Sequence, residues 1–113
     1  YLKKSAAYTT QGKAIFEKIV KANPNVFLVL CGHCRDISYK NVQLDDDGDG
    51  DPDRTVYAIL SNFQGGKAGG GGYMRILDFR DSDIYIYTYS PYYDSCEYPK
   101  YPKGKTEATV PLP

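Results

Sequence analysis

Two short stretches carry side chains whose types and spacing could do chemistry. In Leu28–Ser38, "LVLCGHCRDIS", the single histidine of the chain, His33, stands between Cys31 and Cys34. Two thiols at C-x-x-C spacing could exchange with a disulfide. Cys31, Cys34 and either His33 or Cys96 could be counted toward a zinc site, and an imidazole alone could hold a metal. In "DDDGDGDPDRTV" the carboxylates of Asp45, Asp47 and Asp49 recur at alternate positions and Gly50 follows. D-x-D-x-D-G opens a calcium-binding loop, in which alternate oxygens wrap a hard cation and the glycine makes the sharp turn. Asp51 at the seventh position would add a backbone carbonyl, and Asp53 at the ninth a direct or water-mediated oxygen. Val56 takes the twelfth position, where the usual bidentate glutamate is missing. Carboxylates this dense repel by about 1 kcal/mol per close pair even in water, and a bound cation would remove that cost. The plain alternative is a solvated acidic turn.

The elements around these stretches decide what they can do. Residues 10–22, "TQGKAIFEKIVKA", read as one amphipathic helix with Ile15, Phe16, Ile19 and Val20 on its apolar side. Thr9 or Thr10 would cap its start, and Asn23-Pro24 would end it. "VFLVL" then reads as a strand buried on both faces, so a helix delivers the chain into a buried strand. "ISYKNVQL" and "TVYAILSN" are expected as strands flanking the acidic loop. "YMRILDF" and "DIYIYTYS" form a hairpin across Arg80-Asp81-Ser82. Ile84, Ile86 and Thr88 share one face of that second strand and Tyr85, Tyr87 and Tyr89 the other. Neither face is charged, so cover on both sides is expected, with the tyrosines used for packing. The fold class is therefore α/β: one N-terminal helix, a buried strand, then mainly antiparallel strands. Residues 95–113, with their spaced Pro, Tyr and Lys, read as an extended linker or tail.

This context weighs on the cysteines. Gly-His between two cysteines is the tetrapeptide of thioredoxin-like disulfide isomerases, where a helix starting at the motif stabilises the thiolate. Here Cys31 continues a strand, and "RDISYKNVQL" has no sustained helical stripe. Zinc would need four ligands, usually from two knuckles, and the sequence has one. A small buried apolar residue is the favoured reading of Cys31. For His33, a loop at the carboxyl end of a buried strand is where α/β enzymes place functional groups, and a structural histidine bonded to backbone is the alternative. "GGKAGGGG" fails as a phosphate cradle, because Lys67 precedes Ala68 rather than Ser or Thr. It reads as a flexible connection.

Composition narrows the classes further. Fourteen Lys and Arg balance fourteen Asp and Glu. Asp45, Asp46, Asp47, Asp49, Asp51 and Asp53 sit together, so the rest of the chain has a scattered excess of bases. No basic helix or aromatic RNA-binding signature accompanies that excess, so nucleic-acid binding is not expected. The longest apolar run, Val26 to Cys31, is far too short for a membrane span. Three cysteines imply no disulfide framework. A chain beginning at Tyr1 reads as a processed or excised piece.

"NPNVFLVLCGH", "VYAILSNFQGG", "GGGGYMRILDF" and "DIYIYTYSP" together resemble the C-terminal portion of bacterial calcineurin-like metallophosphoesterases, over about residues 1–94. The resemblance implies the C-terminal half of a β-sandwich phosphoesterase that hydrolyses phosphate esters with divalent transition metals. It implies His33 as a metal ligand in a Gly-His-x-His-like element. Arg35 stands where the second histidine would fall, and a guanidinium cannot coordinate a cation. Arg35 is then a candidate phosphate contact. The motifs that supply the other ligands have no counterpart here, so the chain alone is expected to be inactive and its partner is the missing N-terminal part of the same protein. The acidic loop, residues 45–53, looks like the calcium loops of extracellular bacterial proteins, which implies a secreted or cell-surface location and bound Ca2+. A noncatalytic calcium-stabilised extracellular module is the alternative function, and a disulfide oxidoreductase using Cys31 and Cys34 comes third.

Overall fold

The computed structural model describes residues 6–98 and 106–113. Residues 99–105 of the expected tail, and the first five residues of the stretch that carries the family resemblance, lie outside the described residues. The chain divides into two compact units. One takes in the residues up to Leu30 together with Lys40–Ile59, the other Cys31–Tyr39 with Leu60 onward. The architecture is α/β, as the residue pattern predicts: helix α1 (Ala6–Ile15), then strands β1 (Leu28–Cys31), β2 (Ile37–Leu44), β3 (Arg54–Ser61), β4 (Met74–Phe79), β5 (Asp83–Tyr89) and β6 (Glu107–Pro111). They form two three-stranded sheets, in the orders β1-β3-β2 and β4-β5-β6. Among the described residues no helix is long and apolar enough to cross a membrane.

In the first unit α1 widens into a π-helical turn, Phe16–Val20, closed by the Lys21 N–H donating to the Phe16 carbonyl at 2.9 Å. The helix begins by Ala6, so Thr9 and Thr10 lie inside it rather than capping it. It ends as expected: the Asn23 side-chain amide donates to the Ile19 carbonyl at 2.6 Å, and Pro24 follows. Phe16 and Val20, four residues apart, pack with Leu44 and Val56, while Val26, Val29 and Val42 cover that cluster. Ile15 and Ile19, expected on the same side, are instead more than half exposed. A helix lying on so small a sheet buries a narrower arc than its apolar stripe offers.

The strand expected to be buried on both faces is not. β1 is an edge strand, half-buried at Leu28 and Val29 and exposed at Leu30 and Cys31. Val29 faces the helix-side cluster, and its neighbour Leu30 must point the other way. The central strand β3 takes the buried role, with Val56, Ala58, Ile59 and Leu60 all inside.

The second unit is built on β5. β4 pairs antiparallel to it from Met74 opposite Tyr89 to Phe79 opposite Ile84. β6 pairs antiparallel on its other side from Asp83 opposite Pro111 to Tyr87 opposite Glu107. Ile84, Ile86 and Thr88 are fully buried, as their alternation requires. The tyrosine face is only half covered; Tyr85 and Tyr87 stack at 5.5 Å, and the Arg80 guanidinium sits 4.6 Å over the Tyr85 ring. Among the described residues of 95–113, a paired strand, β6, stands where a linker is expected. Val110 is fully buried, the Leu112 N–H donates to the Ser82 carbonyl at 3.0 Å, and Tyr98 packs in a cluster with Ile37 and Phe63. β6 is an edge strand, where a proline such as Pro111 is tolerated without a ladder donor.

Candidate functional site

The acidic loop joins β2 to β3 in an antiparallel hairpin, whose ends are tied by the Asp53 N–H donating to the Leu44 carbonyl at 2.9 Å. Asp45 organises the turn. Its carboxylate accepts from the Gly48 N–H at 2.6 Å and the Gly50 N–H at 3.0 Å. Those two backbone donors pull its carboxyl below the ordinary value. Gly48 and Gly50 take φ of 83° and 98°, a region costly for side-chain-bearing residues. Asp47 and Asp49 each accept from the N–H two residues on, at 3.1 and 2.8 Å. One oxygen from each of Asp45, Asp47 and Asp49 lies within 4.8 Å of the others, and all three residues are exposed. Asp51 is not in that group. Asp53 is outside that group too, and accepts from the Asp46 N–H at 2.7 Å. The hairpin thus brings together three of the four carboxylates expected as calcium ligands, close enough that a hard cation could be held between them.

Sequence reasoning missed Arg54, the first residue of β3. Its guanidinium grips Asp46 through Nε at 2.5 Å and a second nitrogen at 3.1 Å. It also donates to the carbonyls of Val26 at 2.8 Å and of Val20 and Lys21 at 3.2 Å. One side chain therefore ties the acidic loop to the end of the helix and to the chain entering β1. A cation directly after an acidic run was the available signal.

The second site begins where β1 ends. The Cys34 N–H donates to the Gly32 carbonyl at 2.9 Å and the Asp36 N–H to the Cys34 carbonyl at 2.7 Å, two tight turns in succession. Between them His33 adopts φ 68°, a conformation uncommon for a residue with a side chain, and it is exposed. The motif leads into β2, so no helix N-terminus lies at Cys31 to stabilise a thiolate. Partial desolvation pushes the Cys31 thiol up, and neighbouring Cys34 adds to this. Cys31 is exposed at its strand end rather than a buried apolar residue, because β1 is an edge. Cys34 and Cys96 are free thiols. Among the described residues neither cysteines nor His33 join any three-residue group able to hold a metal; the acidic loop alone supplies one.

His33 lines a hollow of about 320 Å³ with Ser61, Asn62, Gln64, Tyr73 and the glycine run beyond them. That run, expected as a flexible connection, is a folded left-handed turn: Ala68, Gly69, Gly70, Gly71 and Gly72 all have positive φ. At Gly70 an added Cβ would meet the Phe63 carbonyl oxygen at 2.7 Å, so only glycine fits there. Arg35 does not line the hollow; it is exposed, its stem against Gly65.

No family model matches the chain, and no solved structure matches it. The chain is 48% identical over 94 residues to the uncharacterized protein YvnB of Bacillus subtilis (strain 168), an alignment that covers 81% of this chain and 7% of YvnB. The chain therefore corresponds to a small part of that relative's length.

Proposed function

We propose that this chain is the C-terminal segment of a calcineurin-like, metal-dependent phosphoesterase domain, with His33 as its one contribution to the active-site metals and the acidic hairpin as a structural calcium site. The observation that carries the reading is the position of His33: an imidazole on a strained turn at the carboxyl end of a strand, beside a polar hollow. The four segments that resemble such phosphoesterases support it. The residues present do not fit a complete transition-metal centre, since His33 joins no group of ligands and Arg35 replaces the second histidine. Catalysis accordingly needs residues outside this chain. Calcium fits better: one oxygen from each of three carboxylates lies within 4.8 Å of the others, and backbone donors lower the Asp45 carboxyl below its ordinary value. Loops of this kind with few ligands bind in the range of extracellular calcium, which supports a secreted or surface location.

The decisive experiment expresses the longer protein, including the residues that precede Tyr1, and measures hydrolysis of phenyl phosphate with manganese supplied. His33→Ala is expected to lower kcat/KM about a hundredfold or more. Arg35→Ala is expected to raise KM several-fold as a lost phosphate contact. Hydrolysis unaffected by His33→Ala sinks the metal-ligand role, and an unchanged KM sinks that of Arg35. A second reading, a noncatalytic calcium-stabilised module, is favoured by the acidic triad being the one metal-type cluster among the described residues. It prevails if the longer protein, folded and metal-loaded, hydrolyses no phosphate ester.

A further inference from the structure

We infer that the second unit carries a saccharide-binding site on its tyrosines, separate from the hollow at His33 and independent of the phosphoesterase reading. A hollow of about 680 Å³ lies between the glycine turn and the loop that follows β5. That is an ordinary size for a small-molecule site. Tyrosines in contact lead from its interior out to solvent. Buried Tyr98 meets Tyr73 edge-on at 4.7 Å, Tyr73 lies 5.9 Å from Tyr93, and Tyr92 stands edge-on to Tyr93 at 4.8 Å. Tyr93 is 50% exposed and Tyr92 72%.

The fold holds these two outer rings in place. Ser90, just after β5, is fully buried. Its hydroxyl donates to the Gly71 carbonyl at 2.5 Å and accepts from the Tyr93 N–H at 3.1 Å. Ser90 and Ser95 exchange both backbone bonds, at 2.9 and 3.1 Å, and so clasp the loop that carries the rings. At Gly71, with φ of 60°, an added Cβ would lie 2.5 Å from the Tyr93 ring, so the bare backbone lets that ring lie against the turn. Exposed rings held in advance lose little conformational entropy when a ligand stacks on them.

A sugar ring matches these features. One face of a pyranose presents C–H groups that pack on an aromatic face, and its edge carries hydroxyls that both donate and accept. The hollow supplies both kinds of partner. The Lys67 ammonium donates and the Glu97 carboxylate accepts. The Ser95 hydroxyl accepts from the Glu97 N–H at 3.0 Å and keeps a hydrogen to donate. A proline-rich peptide also packs on tyrosines, but its prolines have no N–H to give to Glu97.

The test titrates the 113-residue chain calorimetrically with cellohexaose, chitohexaose and hexagalacturonate, and with decaproline. At least one oligosaccharide is expected to bind with a dissociation constant of about 1 mM or tighter, and decaproline more weakly. Tyr93→Ala should weaken the saccharide about tenfold and Tyr92→Ala several-fold, with melting temperatures within about two degrees of wild type. Tyr92 is the more exposed ring, so Tyr92→Ala decides the matter if Tyr93→Ala fails to fold. Binding of none of the three oligosaccharides overturns the inference. Saccharide binding at full strength in Tyr92→Ala overturns it too, as does decaproline binding more tightly than every sugar.

Discussion

Arg54 and Arg75 each gather oxygens from distant stretches of chain, one in each compact unit. Arg54 works at the edge of solvent. It faces a carboxylate, Asp46, and three carbonyls at the end of the helix and before β1. Arg75 works among buried groups. It donates to the Ser61 and Thr88 hydroxyls and to the Thr106 carbonyl, and Thr88 and Thr106 are essentially inaccessible. Burial pulls the Arg75 guanidinium below its ordinary value. The difference teaches what each unit is made to hold. The first unit balances the surplus negative charge of the acidic hairpin with a cation at its base. The second uses a cation as a multivalent donor that links Ser61, β5 and the residue before β6 from its place on β4.

Removing the buried cation should therefore do the most damage. Arg75→Met is expected to cost about 3 kcal/mol in urea unfolding, because several charge-assisted bonds vanish and the Ser61 and Thr88 oxygens lose a donor. The bond from the Thr88 hydroxyl to the Thr106 carbonyl at 3.1 Å survives and limits the loss. A cost below about 1 kcal/mol would mean that Arg75 is incidental to that unit. Arg54→Lys should cost less, roughly 1–2 kcal/mol, since the charge beside Asp46 persists while the fork that reaches three carbonyls does not. If Arg54→Lys proved as harmful as Arg75→Met, the contrast between an edge cation and a buried one would fail.

The same contrast explains what could be read from the residues alone. The β4–β5 hairpin was legible because Ile84, Ile86 and Thr88 alternate with three tyrosines and Arg80-Asp81-Ser82 interrupts them. The clustering of Asp45, Asp47 and Asp49 was legible because it is local: three carboxylates and a glycine within six residues. What failed depended on neighbours. "VFLVL" has the composition of a central strand, but partner order decides burial, and β1 lies at an edge. Pro111 and the prolines before it suggested a linker, whereas β6 is held by register with β5, a contact far away in sequence. Both arginines were passed over because their partners are tertiary: the Arg75 contacts to Thr106 span 31 positions. The hollow at His33 needs Asn62, Gln64 and a glycine turn brought together by folding, and nothing in the spacing announced it.

The smallest expected effect concerns the exposed loop, and it sharpens the claim that the first unit manages charge. Asp45 titrates below its ordinary value of 3.8 because the Gly48 and Gly50 N–H groups bond its ionised form. A carboxyl depressed on folding adds stability that is present above the unfolded pKa and lost as pH falls through the lower, folded one. In the absence of calcium the wild type should thus lose melting temperature between pH 5 and pH 3 more steeply than Asp45→Asn. Calcium at tenfold its dissociation constant should raise the melting point at pH 7 by a few degrees, following about 1.4 kcal/mol of linkage. That gain should fade on the acid side, because protons and calcium compete for the same oxygens. Equal acid slopes in the two proteins would remove Asp45 as the organiser of the turn. A melting point unmoved by millimolar calcium would remove the cation and leave Arg54 as the loop's whole counter-charge.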